Sequence, residues 1–182
     1  MKKLFAIVFA LLFTLSIVSA MADGVTFTSK YFTMELPEGW ETADPEQEAD
    51  DKDAPECLGV FGQSEGEGLV CEAYIEYDED SKTLSLWNSD AEELKDYAEA
   101  VMEGFEEDNP VYLDTIKANG IPFVLIRATD EDGEYLHANT VSNGYYIHFM
   151  VYAADAEGEF IPLADKYIEE FKTILNTFKP AA

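Results

Sequence analysis

Residues 111–153 read VYLDTIKANGIPFVLIRATDEDGEYLHANTVSNGYYIHFMVYA, and this stretch decides the fold. Four runs rich in β-branched and aromatic residues are parted by Asn119-Gly120, by Asp130-Glu131-Asp132-Gly133 and by Asn143-Gly144. Asn-Gly between apolar runs favours two-residue hairpin turns, whose central positions need positive φ. The stretch therefore predicts an antiparallel meander with strands at 111–117, 121–128, 134–141 and 145–153. The second is the most apolar and reads as a central strand, with Pro122 tolerated at its start.

The last hairpin carries the candidate site. If Asn143-Gly144 is a two-residue turn, Ser142 opposes Tyr145, Asn139 opposes His148 and His137 opposes Met150. Side chains alternate between faces along a strand. Tyr135, His137, Asn139, Tyr146, His148, Met150 and Tyr152 then share one face. Leu136, Ala138, Ile147, Phe149 and Val151 form the opposite, apolar face. His137 and His148, the only histidines, become diagonal neighbours. A bulge at Gly133 would bring Arg127, the sole arginine, onto the polar face; another loop geometry would turn it away. Tyr and His offer large contact area with polar tips, as recognition surfaces do. Tyr135, His137, Asn139, Tyr146 and His148 are therefore the candidate binding residues, with Tyr146 and His148 foremost. The alternatives are a helix that covers this face and satisfies its polar groups, and a metal site.

Two amphipathic helices flank the meander. Ser89-x-x-Glu92 has the form of a capping box. Leu94, Tyr97, Ala98, Val101, Met102 and Phe105 follow at helical spacing, and Asn109-Pro110 stops the helix. A closing helix has Pro162 in its first turn. Its stripe is Ala164, Tyr167, Ile168, Phe171, Ile174, Leu175 and Phe178, ended by Pro180. Upstream, residues 25–28 and 32–36 alternate as half-buried strands, and Pro37-Glu38-Gly39-Trp40 turns the chain. Residues 41–56 read as an acidic, self-repelling loop. Cys57 and Cys71 then sit on the two arms of a hairpin, equidistant from its Gly-rich turn. A disulfide there would contribute about 3 kcal/mol; two free thiols are the alternative.

The N-terminus carries a different signal. Lys2 and Lys3 precede an apolar run over residues 4–18, then Val18-Ser19-Ala20 and Ala20-Met21-Ala22. That is the order of a secretory signal peptide over residues 1–22. It leaves residues 23–182 as a single domain, secreted or periplasmic, with no membrane association after cleavage. An uncleaved anchor is the rival, but the run barely reaches the roughly 20 residues a span needs. The chain has 182 residues, 38 Asp+Glu against 11 Lys+Arg and a formal net charge of −27. Losing Lys2 and Lys3 makes the charge more negative still. This excludes the basic stripe that nucleic acid requires. Hydrophobic residues make up 47% and aromatics 13%, which excludes a disordered acidic tail. The fold class is α+β, an antiparallel sheet with flanking helices.

The full order is two N-terminal strands, the Leu36-Pro37-Glu38-Gly39-Trp40 turn, a hairpin, a helix, the meander and a closing helix. Over about residues 25–179 this resembles the PsbP-like family of α/β/α sandwich proteins, which includes the photosystem II extrinsic subunit PsbP and many exported bacterial proteins. The resemblance implies a non-catalytic binding or accessory role, with an unknown protein or small molecule as partner and no cofactor. It assigns no ligand residues.

Enzymatic and metal chemistry have weaker footholds. Gly62-Gln63-Ser64-Glu65-Gly66 matches Gly-x-Ser-x-Gly, yet a nucleophile elbow needs a helix after it, and a strand follows here. A small secreted hydrolase remains the alternative function. Asp130-x-Asp132-Gly133 starts like a calcium loop but lacks the later ligands. Asp50, Asp51 and Asp53, or Asp78, Glu79 and Asp80, would hold a divalent cation weakly. No metal ligand set is assigned.

Overall fold

The computed structural model describes residues 24–44 and 55–181. The predicted signal peptide lies outside them, and so does most of the acidic loop. Along the chain run β1 (Thr26–Thr28), β2 (Phe32–Glu35), β3 (Trp40–Ala43), β4 (Glu56–Gln63), β5 (Gly68–Tyr77) and helix α1 (Ala91–Glu103). A short 3-10 turn (Glu106–Asp108) leads to β6 (Val111–Ala118), β7 (Ile121–Thr129), β8 (Glu134–Ser142) and β9 (Tyr145–Ala154). The chain closes with β10 (Phe160–Ile161), helix α2 (Asp165–Leu175) and β11 (Lys179–Pro180). β3-β4-β5-β9-β8-β7-β6, with β10 on β9, form an eight-stranded sheet, and β1-β2-β11 form a small second sheet. Every ladder is antiparallel.

The meander has the predicted register. Ser142 pairs with Tyr145, Asn139 with His148 and His137 with Met150. Both Asn-Gly turns have positive φ at both residues, 50° and 88° at Asn119 and Gly120, 53° and 80° at Asn143 and Gly144. At Gly144 the glycine is required twice over, since a Cβ would lie 2.5 Å from the Asp78 carbonyl oxygen. β5 inserts beside β9, pairing Glu72 with Met150 and Tyr74 with His148.

The main core lies between one face of the large sheet and a cover made of α2 and the small sheet. Phe149 is fully buried at its centre. Its ring meets those of Phe32, Phe61, Phe123, Phe171 and Phe178 at centroid distances of 5.5 to 6.4 Å. Tyr167, Ile168, Phe171, Ile174 and Leu175 bury the predicted stripe of α2. Helix α1 covers part of the opposite face. Leu94 packs with Leu86 and Val141, and Ala98 packs with Val124 and Ile126. The result is a sheet-dominated α/β/α sandwich.

Several expectations need correction. Cys57 and Cys71 form no disulfide; both are free thiols. The hairpin turns two residues later than the symmetric placement supposes, so Cys71 pairs with Phe61 and Cys57 with Tyr74. Four residues along a strand amount to about 13 Å, far beyond the roughly 7 Å Cα separation a disulfide can span. Cys71 also faces the core, where burial pushes its thiol well above the ordinary value. The capping box of α1 is Asp90 with Glu93, one residue after Ser89 and Glu92. Helix α2 starts at Asp165 behind an Ala164 cap, and Pro180 belongs to β11. Both ends of the 41–56 segment are strands, in β3 and β4.

Candidate functional site

The five candidate residues do share one face of the large sheet, but α1 and its flanking segments seal much of it. Tyr135, His137 and Asn139 are about 5% exposed. Tyr97 of α1 donates its hydroxyl to Asn139 Oδ1. Phe105, just beyond α1, sets its ring edge to face against His137, 4.8 Å away. Tyr135 donates to Asp108 Oδ2 of the 3-10 turn at 2.7 Å. Tyr146 donates to Ser81 Oγ at 2.8 Å and packs against the Leu86–Leu94–Val141 cluster.

An aromatic row crosses the sheet here. Tyr74 stacks on His148 at 5.2 Å, His148 lies 5.1 Å from His137, and Phe105 closes the row. Burial pushes His148 down to about 4. Burial, with His148 alongside, pushes His137 down to about 3. Both imidazoles are therefore neutral at physiological pH. His137 Nδ1 is buried and finds no hydrogen-bond partner among the described residues.

Where α1 ends its cover, the same face opens into a cleft of about 210 Å³. β5 and β9 supply Glu72, Tyr74, Met150 and Tyr152, and β8 supplies Tyr135. The β7–β8 turn adds Asp130 and Asp132, and β10 adds Phe160. Tyr74 donates to Glu72 Oε2 at 2.6 Å and Tyr152 donates to Glu72 Oε1 at 3.1 Å. Burial, with the Glu72 charge beside them, pushes both phenols up, so they stay protonated donors. Phe160 meets Tyr152 edge to face at 4.7 Å and remains 37% exposed.

Tyr135 is the one candidate residue that lines this cleft. His148, Met150 and Tyr152 lie on β9, Met150 and Tyr152 in the cleft wall, and His137, Asn139 and Tyr146 fall under the cover. Glu72, Tyr74, Asp130, Asp132 and Phe160 were not among the candidates. Alternation along β5 already separates Glu72 and Tyr74 from Cys71 and Ala73; what was missing was the strand beside them. Arg127 is turned away from this face. It pairs with Leu136, holds Glu134 at 2.9 Å and donates to the Leu163 carbonyl.

The other motifs have structural partners. Ser64 sits in the β4–β5 hairpin and donates its hydroxyl to the Gly39 carbonyl at 2.9 Å. Asp130 Oδ1 accepts from the amides of Asp132 and Gly133, forming the hairpin turn. Asp78 caps its own turn through Asp80 and Ser81. Asp50, Asp51 and Asp53 lie outside the described residues. Among the described residues no three His, Cys, Asp or Glu side chains converge as a metal ligand set. No helix among them is long and apolar enough to cross a membrane.

No family model matches the sequence, and no curated protein does. Among solved structures, the solution structure of cyanobacterial PsbP (CyanoP) from Synechocystis sp. PCC 6803 aligns with a TM-score of 0.51 at 16% identity. The alignment covers 92% of this chain and 99% of that one. A protein from Bacteroides thetaiotaomicron aligns with a TM-score of 0.41 at 12% identity, over 89% of this chain and 50% of that one. With that TM-score and near-complete mutual coverage with CyanoP, this chain has the PsbP-like fold.

Proposed function

We propose that this is an exported, non-catalytic binding or accessory protein of the cell envelope, whose ligand enters the cleft between β5, β9 and the β7–β8 turn. One observation carries the reading: the sheet face sealed by α1 over β7 and β8 is left open over β5 and β9, where it is lined by aromatic side chains and Met150. Apolar clefts with a few fixed polar groups are the usual form of a small-ligand site. Glu72, held by two tyrosine hydroxyls, is such a group. The PsbP-like fold supports an accessory role in general terms, and the N-terminal n-region, apolar run and small-residue motif support export.

A small-molecule fragment set of mixed charge, screened by ligand-observed NMR, tests the binding reading. Hits should lose their signal in Phe160→Ala, a half-exposed position whose truncation spares the core. Hits indifferent to Phe160→Ala would remove the cleft from consideration. Intact mass of the exported protein tests the rest, with a start just after Ala20 or Ala22 expected. Membrane-bound material that retains Met1 would overturn the cleaved-signal assignment.

A further inference from the structure

We infer that the cleft is a site for a small organic cation, an alkylated ammonium head group, held by tyrosine rings and the Glu72 carboxylate. The inference rests on the binding reading above and adds the chemistry of the ligand. Two features of the cleft combine. Its walls are aromatic and thioether: Tyr74, Tyr135, Tyr152, Phe160 and Met150. Its charged lining residues are all acidic, Glu72 on β5 with Asp130, Asp132 and Glu134 at the β7–β8 turn, Glu134 being paired with Arg127.

A neutral apolar ligand would use the rings and gain nothing from the Glu72 charge. An anion would meet four acidic residues. A strongly hydrated inorganic cation would use the carboxylates and gain little from the rings. An alkylated ammonium satisfies both sets, because its diffuse positive charge sits favourably on ring faces while its methyl groups are apolar. The tyrosine hydroxyls add to this. Donating to Glu72, they fix the carboxylate against Met150 across the β5–β9 ladder and orient both rings before any ligand arrives, which lowers the ordering cost of binding. The cleft's 210 Å³ is below the roughly 300–1,000 Å³ typical of drug-sized pockets, so it suits a head group. The net charge of −27 steers cations toward the protein from a distance.

The test compares choline with its neutral isostere 3,3-dimethylbutan-1-ol, titrated into the purified protein and followed by NMR at the Tyr74, Tyr152 and Met150 side chains. Choline is expected to shift these signals saturably, with the neutral isostere at least about tenfold weaker, the difference one desolvated cation–π and charge contact makes. Glu72→Gln keeps an acceptor for the tyrosine hydroxyls and should weaken choline about tenfold or more. Asp132→Asn, a change at the half-exposed turn, should weaken it less and serves if Glu72→Gln fails to fold. Equal binding of the two probes overturns the cation inference and leaves the binding reading intact. Absence of any saturable choline shift at these side chains also overturns it, and the fragment screen then decides the binding reading separately. Choline binding unchanged in a folded Glu72→Gln protein overturns the role of the carboxylate.

Discussion

Lowering the pH from 7.5 to 5.5 should destabilise this protein by about 3 kcal/mol, through two histidines alone. In the unfolded chain His137 and His148 take up protons at the ordinary value of 6.5. In the folded chain burial holds them near 3 and 4. Between those limits the unfolded state binds more protons, so stability is full above about pH 7 and falls as the pH drops through 6.5. At pH 5.5 each unfolded imidazole is about nine-tenths protonated and each folded one is neutral. That costs about 1.4 kcal/mol per histidine. The pair sums to a sizeable part of the 5–15 kcal/mol that domains of this size possess.

Two carboxylates are shifted away from this window. Glu67 is held below the ordinary carboxylate value by the Tyr167 hydroxyl and Lys166, and Asp78 by Ser81 and the Asp80 amide. Their loss on acidification comes at lower pH. Relief of like-charge repulsion in a chain of net charge −27 has the opposite sign. Urea unfolding at constant ionic strength, at half-unit steps from pH 7.5 to 5.5, measures the slope. The His137→Phe/His148→Phe double variant keeps the aromatic row and should lose it. A wild-type profile that is flat or rising toward acid would refute the reasoning, as would a slope that survives in the double variant.

Three further outcomes follow from the packing. Without reductant, a denatured sample should label at both Cys57 and Cys71, while in the native protein Cys71 resists; an intramolecular disulfide by mass would contradict the β4–β5 register. Phe149→Ala removes the ring that five other phenylalanines contact and should cost about 3–5 kcal/mol in urea unfolding; a loss under about 1 kcal/mol would mean the site collapses freely. Asp90→Ala deletes both hydrogen bonds that the α1 cap accepts and should cost about 1 kcal/mol, whereas Ser89→Ala should be nearly silent. Equal effects at the two positions would restore the capping box to Ser89.

The meander was legible because its information is local. An Asn-Gly pair fixes a turn, the turn fixes the register, and the register fixes which face each side chain takes. Phe149, Val151, Leu136 and Ala138 could be placed in the core on that logic alone. The Cys57–Cys71 hairpin fails by the same logic. Its turn contains Gly62, Gly66 and Gly68 with no Asn-Gly pair, so several centres are equally permitted. The bulge between Cys57 and Gly59 then shifts the arm again. Strands β3, β10 and β11 were missed for another reason. They are two to four residues long, too short for a period, and exist because a neighbouring edge pairs with them.

The site shows where local reading ends. Placing Tyr135, His137, Asn139, Tyr146 and His148 on one face needed only the β8–β9 turn. Deciding which part of that face meets solvent needed the position of α1, and therefore where Leu94, Ala98 and Phe105 come to rest. That depends on partners more than 20 residues away, such as Val124, Ile126 and His137. Once α1 lies over β7 and β8, His137 is buried and His148 is left only partly exposed, and the pair gives stability its expected pH slope. The open cleft lies along β5, whose Glu72 and Tyr74 come beside Met150 and His148 only through a ladder joining segments more than 70 residues apart. One hairpin face thus divides into a sealed half and an open half, the latter being where the proposed ligand would enter. The boundary between them falls at Tyr135, which lines the cleft while its hydroxyl is tied to Asp108 of the 3-10 turn beyond α1.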